Sequence, residues 1–199
     1  YFGGAGTITF PSGTTLQINP GSNGTYAIGN AFVLSGGAGT INLNTNASLP
    51  EAVGRLCDAG LDSIRVSLNS VRPECYEAYF RPRGYAFADV LRSIDTALAK
   101  GKFVSINYLN SPGFTDTPAE AEALLAFLED HPIHMIQWRN LNYDPIRYWR
   151  AMGAVAPLGE PIGMAALIQG VRDTCPALKF GYFNPPKEKF RICATSKPE

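Results

Sequence analysis

Ile64-Arg65-Val66-Ser67-Leu68-Asn69-Ser70 is a short apolar-rich run that stops on a polar tip rather than on a plain turn. Three further runs behave the same way. Ile41-Asn42-Leu43 stops on Asn44-Thr45-Asn46, Phe103-Val104-Ser105-Ile106 on Asn107-Tyr108-Leu109-Asn110, and Met135-Ile136-Gln137-Trp138 on Arg139-Asn140-Leu141-Asn142. Runs of this length, separated by helix-length stretches, read as strands that lie parallel, and their carboxyl ends then share one rim. Ligands of α/β sheets, open or closed, bind at that rim. The four polar tips are therefore where function is expected.

The stretches between the runs carry helix signals. Ser48-Leu49-Pro50-Glu51 has the form of a capping box ahead of Val53, Leu56 and Cys57, in a helix that ends near Gly60. Phe87, Val90, Leu91, Ile94, Ala97 and Leu98 recur at helical spacing from about Ala86 to a stop at Gly101. Thr117-Pro118-Ala119-Glu120 repeats the capping pattern before Ala121, Leu124, Leu125 and Leu128. A fourth helix, Pro161 to Asp173, precedes a last strand from Leu178 to Phe183, which makes about five βα-type strands. The predicted fold class is α/β, a partial (βα) barrel with parallel strands in sequence order over residues 40–190, followed by a tail at 191–199.

Residues 1–39 are a different kind of sequence. All 34 charged side chains (17 basic and 17 acidic) lie at or beyond Glu51, whereas half of the 20 glycines precede Thr40. Thr7-Ile8-Thr9-Phe10, Thr15-Leu16-Gln17-Ile18 and Tyr26-Ala27-Ile28 read as short strands between Pro- and Gly-bearing turns. The expectation is a short Gly-rich β segment, a small antiparallel element or a poorly ordered lead. Gly3-Gly4-Ala5-Gly6-Thr7-Ile8 recurs as Gly36-Gly37-Ala38-Gly39-Thr40-Ile41, either an internal β repeat or the trace of a junction foreign to the barrel.

The 17 basic groups balance the 17 acidic ones, so charge points to no nucleic-acid partner and no anionic membrane. No stretch has the length of a membrane span or the build of a signal peptide, and the expectation is a soluble, cytoplasmic chain, a piece of something longer. Cys57, Cys75, Cys175 and Cys193 are scattered, without a C-x-x-C pair, against a zinc site or a disulfide framework. His131 and His134, around Pro132, read as a loop pair rather than metal ligands. Asn23-Gly24-Thr25 and Asn46-Ala47-Ser48 fit a glycosylation sequon that no export signal supports.

Taken in order, Ile41-Asn42-Leu43-Asn44-Thr45-Asn46, Leu61 to Ser70, Tyr79-Phe80-Arg81-Pro82-Arg83-Gly84-Tyr85 and Asn107 to Asp116 resemble the later part of radical S-adenosylmethionine (radical SAM) enzymes. A TNG turn after the third strand and an SLD or SLN tip on the fourth recur in that family. The resemblance implies a partial barrel of six βα units, with S-adenosylmethionine and a [4Fe-4S] cluster as cofactors. It places Thr45 and Asn46 near the methionyl part of the nucleoside and Ser67 and Asn69 near the ribose. Short neutral hydrogen-bonding groups suit both tasks. Asn107 would face the cofactor, and Arg139 and Asn140 a small-molecule substrate whose identity is open. These side chains equally suit strand-end turns, and for Ser48 and Thr117 capping is the reading adopted. Arg81 and Arg83 either reach an anionic group or sit in a surface loop. No catalytic residue is assigned.

Three departures from the family pattern stand out. The C-x3-C-x2-C triplet that holds the family's cluster is absent, although soft thiolates are what such clusters require. The Gly-Gly-Glu mark of the second strand is missing too. Ala47 stands where the TNG glycine is expected, so a backbone needing positive φ there would be strained. The favoured expectation is a radical SAM fragment that retains the strand ends facing S-adenosylmethionine and is inactive alone. The rival is a non-catalytic binding or interaction module that uses the β-rich lead on an α/β scaffold.

Overall fold

The computed structural model describes residues 8–9, 15–18, 32–33 and 40–181. Strands β1 (Ile8–Thr9), β2 (Thr15–Ile18) and β3 (Phe32–Val33) come first, followed by β4 (Thr40–Thr45) and α1 (Pro50–Asp58). Then come β5 (Ser63–Leu68), α2 (Pro73–Phe80), α3 (Phe87–Ala99), β6 (Phe103–Asn110) and α4 (Pro118–Asp130). The last elements are β7 (Met135–Asn140), α5 (Pro145–Gly153), α6 (Met164–Thr174) and β8 (Lys179–Phe180). Six strands form one sheet in the order β2-β4-β5-β6-β7-β8, and every neighbouring pair is parallel.

Side-chain alternation divides this sheet into two unlike faces. Ile64, Val66, Val104, Ile106 and Ile136 are fully buried in one cluster with Val53 of α1, Val90 and Ile94 of α3, Leu124 of α4 and Val171 of α6. The residues between them in sequence, Ser63, Arg65, Ser105 and Gln137, are also buried yet polar. A doubly wound sheet, covered by helices on both sides, would carry near-continuous apolar strands. One apolar wall, one polar wall and strands in sequence order make this an α/β fold of the partial (βα) barrel type. A second cluster, of Cys75, Leu109, Phe114, Tyr148, Met152 and Ala156, packs α2 and α5 together beyond the carboxyl ends of the strands.

The lead departs from expectation. β1 pairs with β3 and β2 with β4, in both cases parallel rather than antiparallel. Residues 19–39 separate β2 from β4, a connection long enough for the crossover that parallel pairing requires. Tyr26-Ala27-Ile28 and the tail at 191–199 lie outside the described residues.

Both expected capping boxes are also corrected. Helix α1 opens at Pro50 with Leu49 as its N-cap residue and no side-chain cap. Ser48 instead gives its amide to Asn46 Oδ1 (3.3 Å), because the preceding turn, not the helix, claims the polar side chains. At α4 the Thr117 hydroxyl donates to the Phe114 carbonyl (2.8 Å), and Glu120 turns inward to accept from Ser70 Oγ (2.7 Å). The reach-back expected of Glu120 occurs at α3, where Asp89 Oδ2 accepts from the Ala86 amide (2.8 Å). Helices α2 and α5 have no counterpart in the sequence reading. Asp144-Pro145 could have revealed α5: the carboxylate accepts from the Ile146 and Arg147 amides (2.9 and 3.1 Å) and proline fills the first helical position.

Candidate functional site

Register brings Ser67, Asn107 and Gln137 side by side across β5, β6 and β7, on the polar face. One step toward the amino ends, Arg65 lies beside Ser105. The Arg65 guanidinium donates from Nε to Ser105 Oγ (3.3 Å) and from Nη1 to Gln137 Oε1 (3.0 Å), tying the two rows together. Burial, and then the neighbouring charge of Arg139, hold the Arg65 pKa below the ordinary arginine range. Arg139 follows Gln137 by two residues, hence on the same face, and is exposed at the strand end.

Two atoms of this row are conspicuous. Asn107 Oδ1 and Gln137 Nε2 are buried and have no hydrogen-bond partner among the described residues, one an acceptor and the other a donor. A buried amide group left unpaired costs about 1–3 kcal/mol, so a folded chain keeps such atoms where a ligand completes them or where strain is tolerated. Asn107 stands between Ser67 and Gln137 in this row.

The remaining candidates lie around the same carboxyl rim but outside this row. Thr45 pairs with Val66, a residue of the apolar face, and its Oγ1 accepts from the Ala47 amide (3.0 Å). Asn46 accepts from Ser48 and reaches Tyr85 Oη with Nδ2 (3.5 Å). Between them Ala47 holds φ at 55°, the left-handed value that a TNG glycine would supply. Asn69 is fully buried beneath α2 and α5, donating from Nδ2 to the Cys75 carbonyl (3.0 Å). Asn140 pairs with Asn110 and lines a cleft of about 360 Å³ with Ser111, Tyr143 and Trp149. Of the seven residues singled out, the structure thus groups Ser67, Asn107 and Arg139 on one face. Arg65 and Gln137 complete that group, and period two could have found Arg65, since it precedes Ser67 by two.

The histidines are spent on structure: His131 Nδ1 meets Asp95 (2.6 Å), and His134 Nδ1 accepts from the Val104 amide (3.0 Å). Burial lowers the His134 pKa and so favours that neutral acceptor. Neutral hydrogen-bonding groups along the row fit a nucleoside. The described cysteines, Cys57, Cys75 and Cys175, do not fit an iron-sulfur cluster. Cys57 and Cys75 are buried apart, burial raises both thiols, and Cys75 is pushed up to about 12, the opposite of the thiolate a metal needs. Among the described residues no group of three His, Cys, Asp or Glu side chains could hold a metal ion. No helix among them is long and apolar enough to cross a membrane.

Solved structures with similar folds include a radical SAM methyltransferase from Sphaerobacter thermophilus and HydG, a maturase of the [FeFe]-hydrogenase. The first shares 20% identity and a TM-score of 0.49, covering 70% of this chain and 40% of that one. HydG shares 21% identity and a TM-score of 0.50, covering 76% of this chain and 34% of that one, a likeness of fold. The chain therefore spans two fifths or less of either. No curated protein matches it. The Radical SAM superfamily model matches residues 20–128, more than half of the sequence. A family match of that extent, on a partial (βα) barrel, has one reading: this chain belongs to the radical SAM superfamily.

Proposed function

We propose that this chain is the part of a radical SAM enzyme that cradles S-adenosylmethionine against the carboxyl halves of β5, β6 and β7. The observation that carries the reading is the in-register row Ser67, Asn107, Gln137, in which a buried acceptor and a buried donor wait unpaired. The cofactor's ribose hydroxyls and adenine offer both complements. Thr45 and Asn46 shape the rim on the methionyl side, and Arg139 and Asn140 face the substrate. S-adenosylmethionine would supply the adenosyl group of the family's chemistry. In this reading the chain's residues hold and orient the cofactor; the described residues include no metal-binding group of three His, Cys, Asp or Glu side chains, which supports a chain that does not cleave the cofactor alone.

Calorimetric titration of the full chain with S-adenosylmethionine is expected to show saturable binding at one site. Asn107→Leu should weaken it by about tenfold, the value of one buried hydrogen bond, while leaving the ligand-free protein no less stable, because an orphaned acceptor has been removed. Absence of binding to the wild-type chain, or an Asn107→Leu variant that binds equally well, would refute the assignment. Reconstitution with iron and sulfide is expected to leave no stoichiometric cluster by iron content and visible absorption. A stable cluster on this chain would overturn the statement that it lacks the ligands.

A further inference from the structure

A cleft lies between α2 and α5, and it is basic and aromatic in a chain of zero net charge. Its volume is about 720 Å³, within the range of small-molecule pockets. Tyr79, Phe80 and Tyr143 supply ring surface, and Arg81, Arg147 and Arg150 supply charge. Tyr79 stands edge-on to both other rings, at 5.0 Å from Phe80 and 6.0 Å from Tyr143, so the three present surfaces in different directions. Arg147 Nε lies 3.9 Å from Asp144 Oδ2. Neither Arg81 nor Arg150 has a carboxylate within ion-pair distance among the described residues. Three guanidinium groups against one carboxylate leave a formal excess of two positive charges.

The backbone adds an independent observation. Arg81 closes α2 in the left-handed conformation (φ 48°, ψ 59°), where glycine is the low-cost choice and any other residue loses about 1–2 kcal/mol. The strained position is occupied by a side chain that lines the cleft. Strain held at such a place points to use.

We propose that this cleft is a ligand site for a dianionic phosphate monoester carried on an aromatic or other planar apolar body. Two excess charges match a phosphate dianion rather than a carboxylate, guanidinium forks suit its oxygens, and the rings suit the body. The site stands apart from the S-adenosylmethionine reading, because none of its lining residues belongs to the row Ser67, Asn107, Gln137.

Titrating the full chain with phenyl phosphate, inorganic phosphate and benzoate tests the charge and ring requirements separately. Phenyl phosphate is expected to saturate one site, with benzoate and inorganic phosphate each about tenfold weaker, for want of one charge and of the ring. Arg81→Gly should weaken phenyl phosphate by about tenfold while Tm holds or rises, since glycine relieves the left-handed backbone. That combination separates lost recognition from lost folding, and Arg150→Gln should weaken binding without touching the turn. Benzoate binding as tightly as phenyl phosphate, an Arg81→Gly variant with unchanged affinity, or binding only to phosphopeptides, nucleic acid or anionic vesicles would overturn the proposal.

Discussion

Ala47→Val is expected to destabilise the fold by about 3–4 kcal/mol, a large share of the roughly 5–15 kcal/mol that holds a typical domain together. Ala47 sits at φ 55° and is 1% exposed. A branched β-carbon is poorly tolerated at left-handed φ, which already costs an unbranched residue about 1–2 kcal/mol, and added methyl groups in a packed site cost about 1–3 kcal/mol more. The displacement would also pull at the Ser93 hydroxyl, which donates to the Ala47 carbonyl (2.7 Å) and fastens the turn to α3. Ala47→Gly, by contrast, should be close to neutral: relief of the backbone is offset by the lost methyl burial, about 0.8 kcal/mol, and by a freer unfolded chain. Urea unfolding of the two variants, compared by midpoint at unchanged slope, measures the difference. A valine variant that unfolds at the wild-type midpoint would show that the turn adapts.

The same turn shows what the sequence makes legible. Thr45-Asn46-Ala47 has the position of a family turn, and the resemblance to it implied the positive φ that Ala47 adopts. The parallel sheet was legible for a related reason: apolar runs that end on polar tips, with helix-length connections, admit few topologies. The site was legible only in part. Period two assigns faces, but near a strand end the chain leaves the pleat, so Asn69, one residue beyond β5, packs beneath α2 and α5 instead of joining Ser67. Helices α2 and α5 escaped because eight or nine residues give barely two turns of periodicity. The cleft they form was illegible too, since Arg81 and Arg150 line one cleft only when two distant segments pack.

Glu120 was read as a helix cap, and its actual place makes it the strongest lever on the rim after Ala47. Its carboxylate is fully buried, accepts from Ser70 Oγ (2.7 Å) and lies 3.4 Å from Arg72 Nη1. Arg72 is nearer to Glu74, at 2.7 Å, so its charge is shared and only partly offsets the burial of Glu120. Burial accordingly raises the Glu120 pKa above its ordinary 4.5, with Ser70 and Arg72 opposing. A carboxyl that holds its proton more tightly when folded adds stability that is complete below its unfolded pKa and is lost as pH rises through the folded value. Wild type should therefore gain stability relative to Glu120→Gln as the buffer is taken from neutral pH toward 4.5, the reverse of an ordinary ion-paired carboxylate. Glu120→Ala should cost about 3 kcal/mol near pH 4.5, where the wild-type carboxyl keeps its proton, and less at neutral pH, because Ser70 and Arg72 lose their shared partner in a buried setting. Ser70 is three residues beyond Ser67 on the same tip, so Glu120→Ala should also weaken S-adenosylmethionine binding, which Glu120→Gln, still able to accept from Ser70, should preserve. Denaturant midpoints of the three proteins across that pH range, with calorimetric titration at its neutral end, decide the matter. A Glu120→Gln curve that runs parallel to wild type would mean that the buried carboxyl does not titrate with the fold.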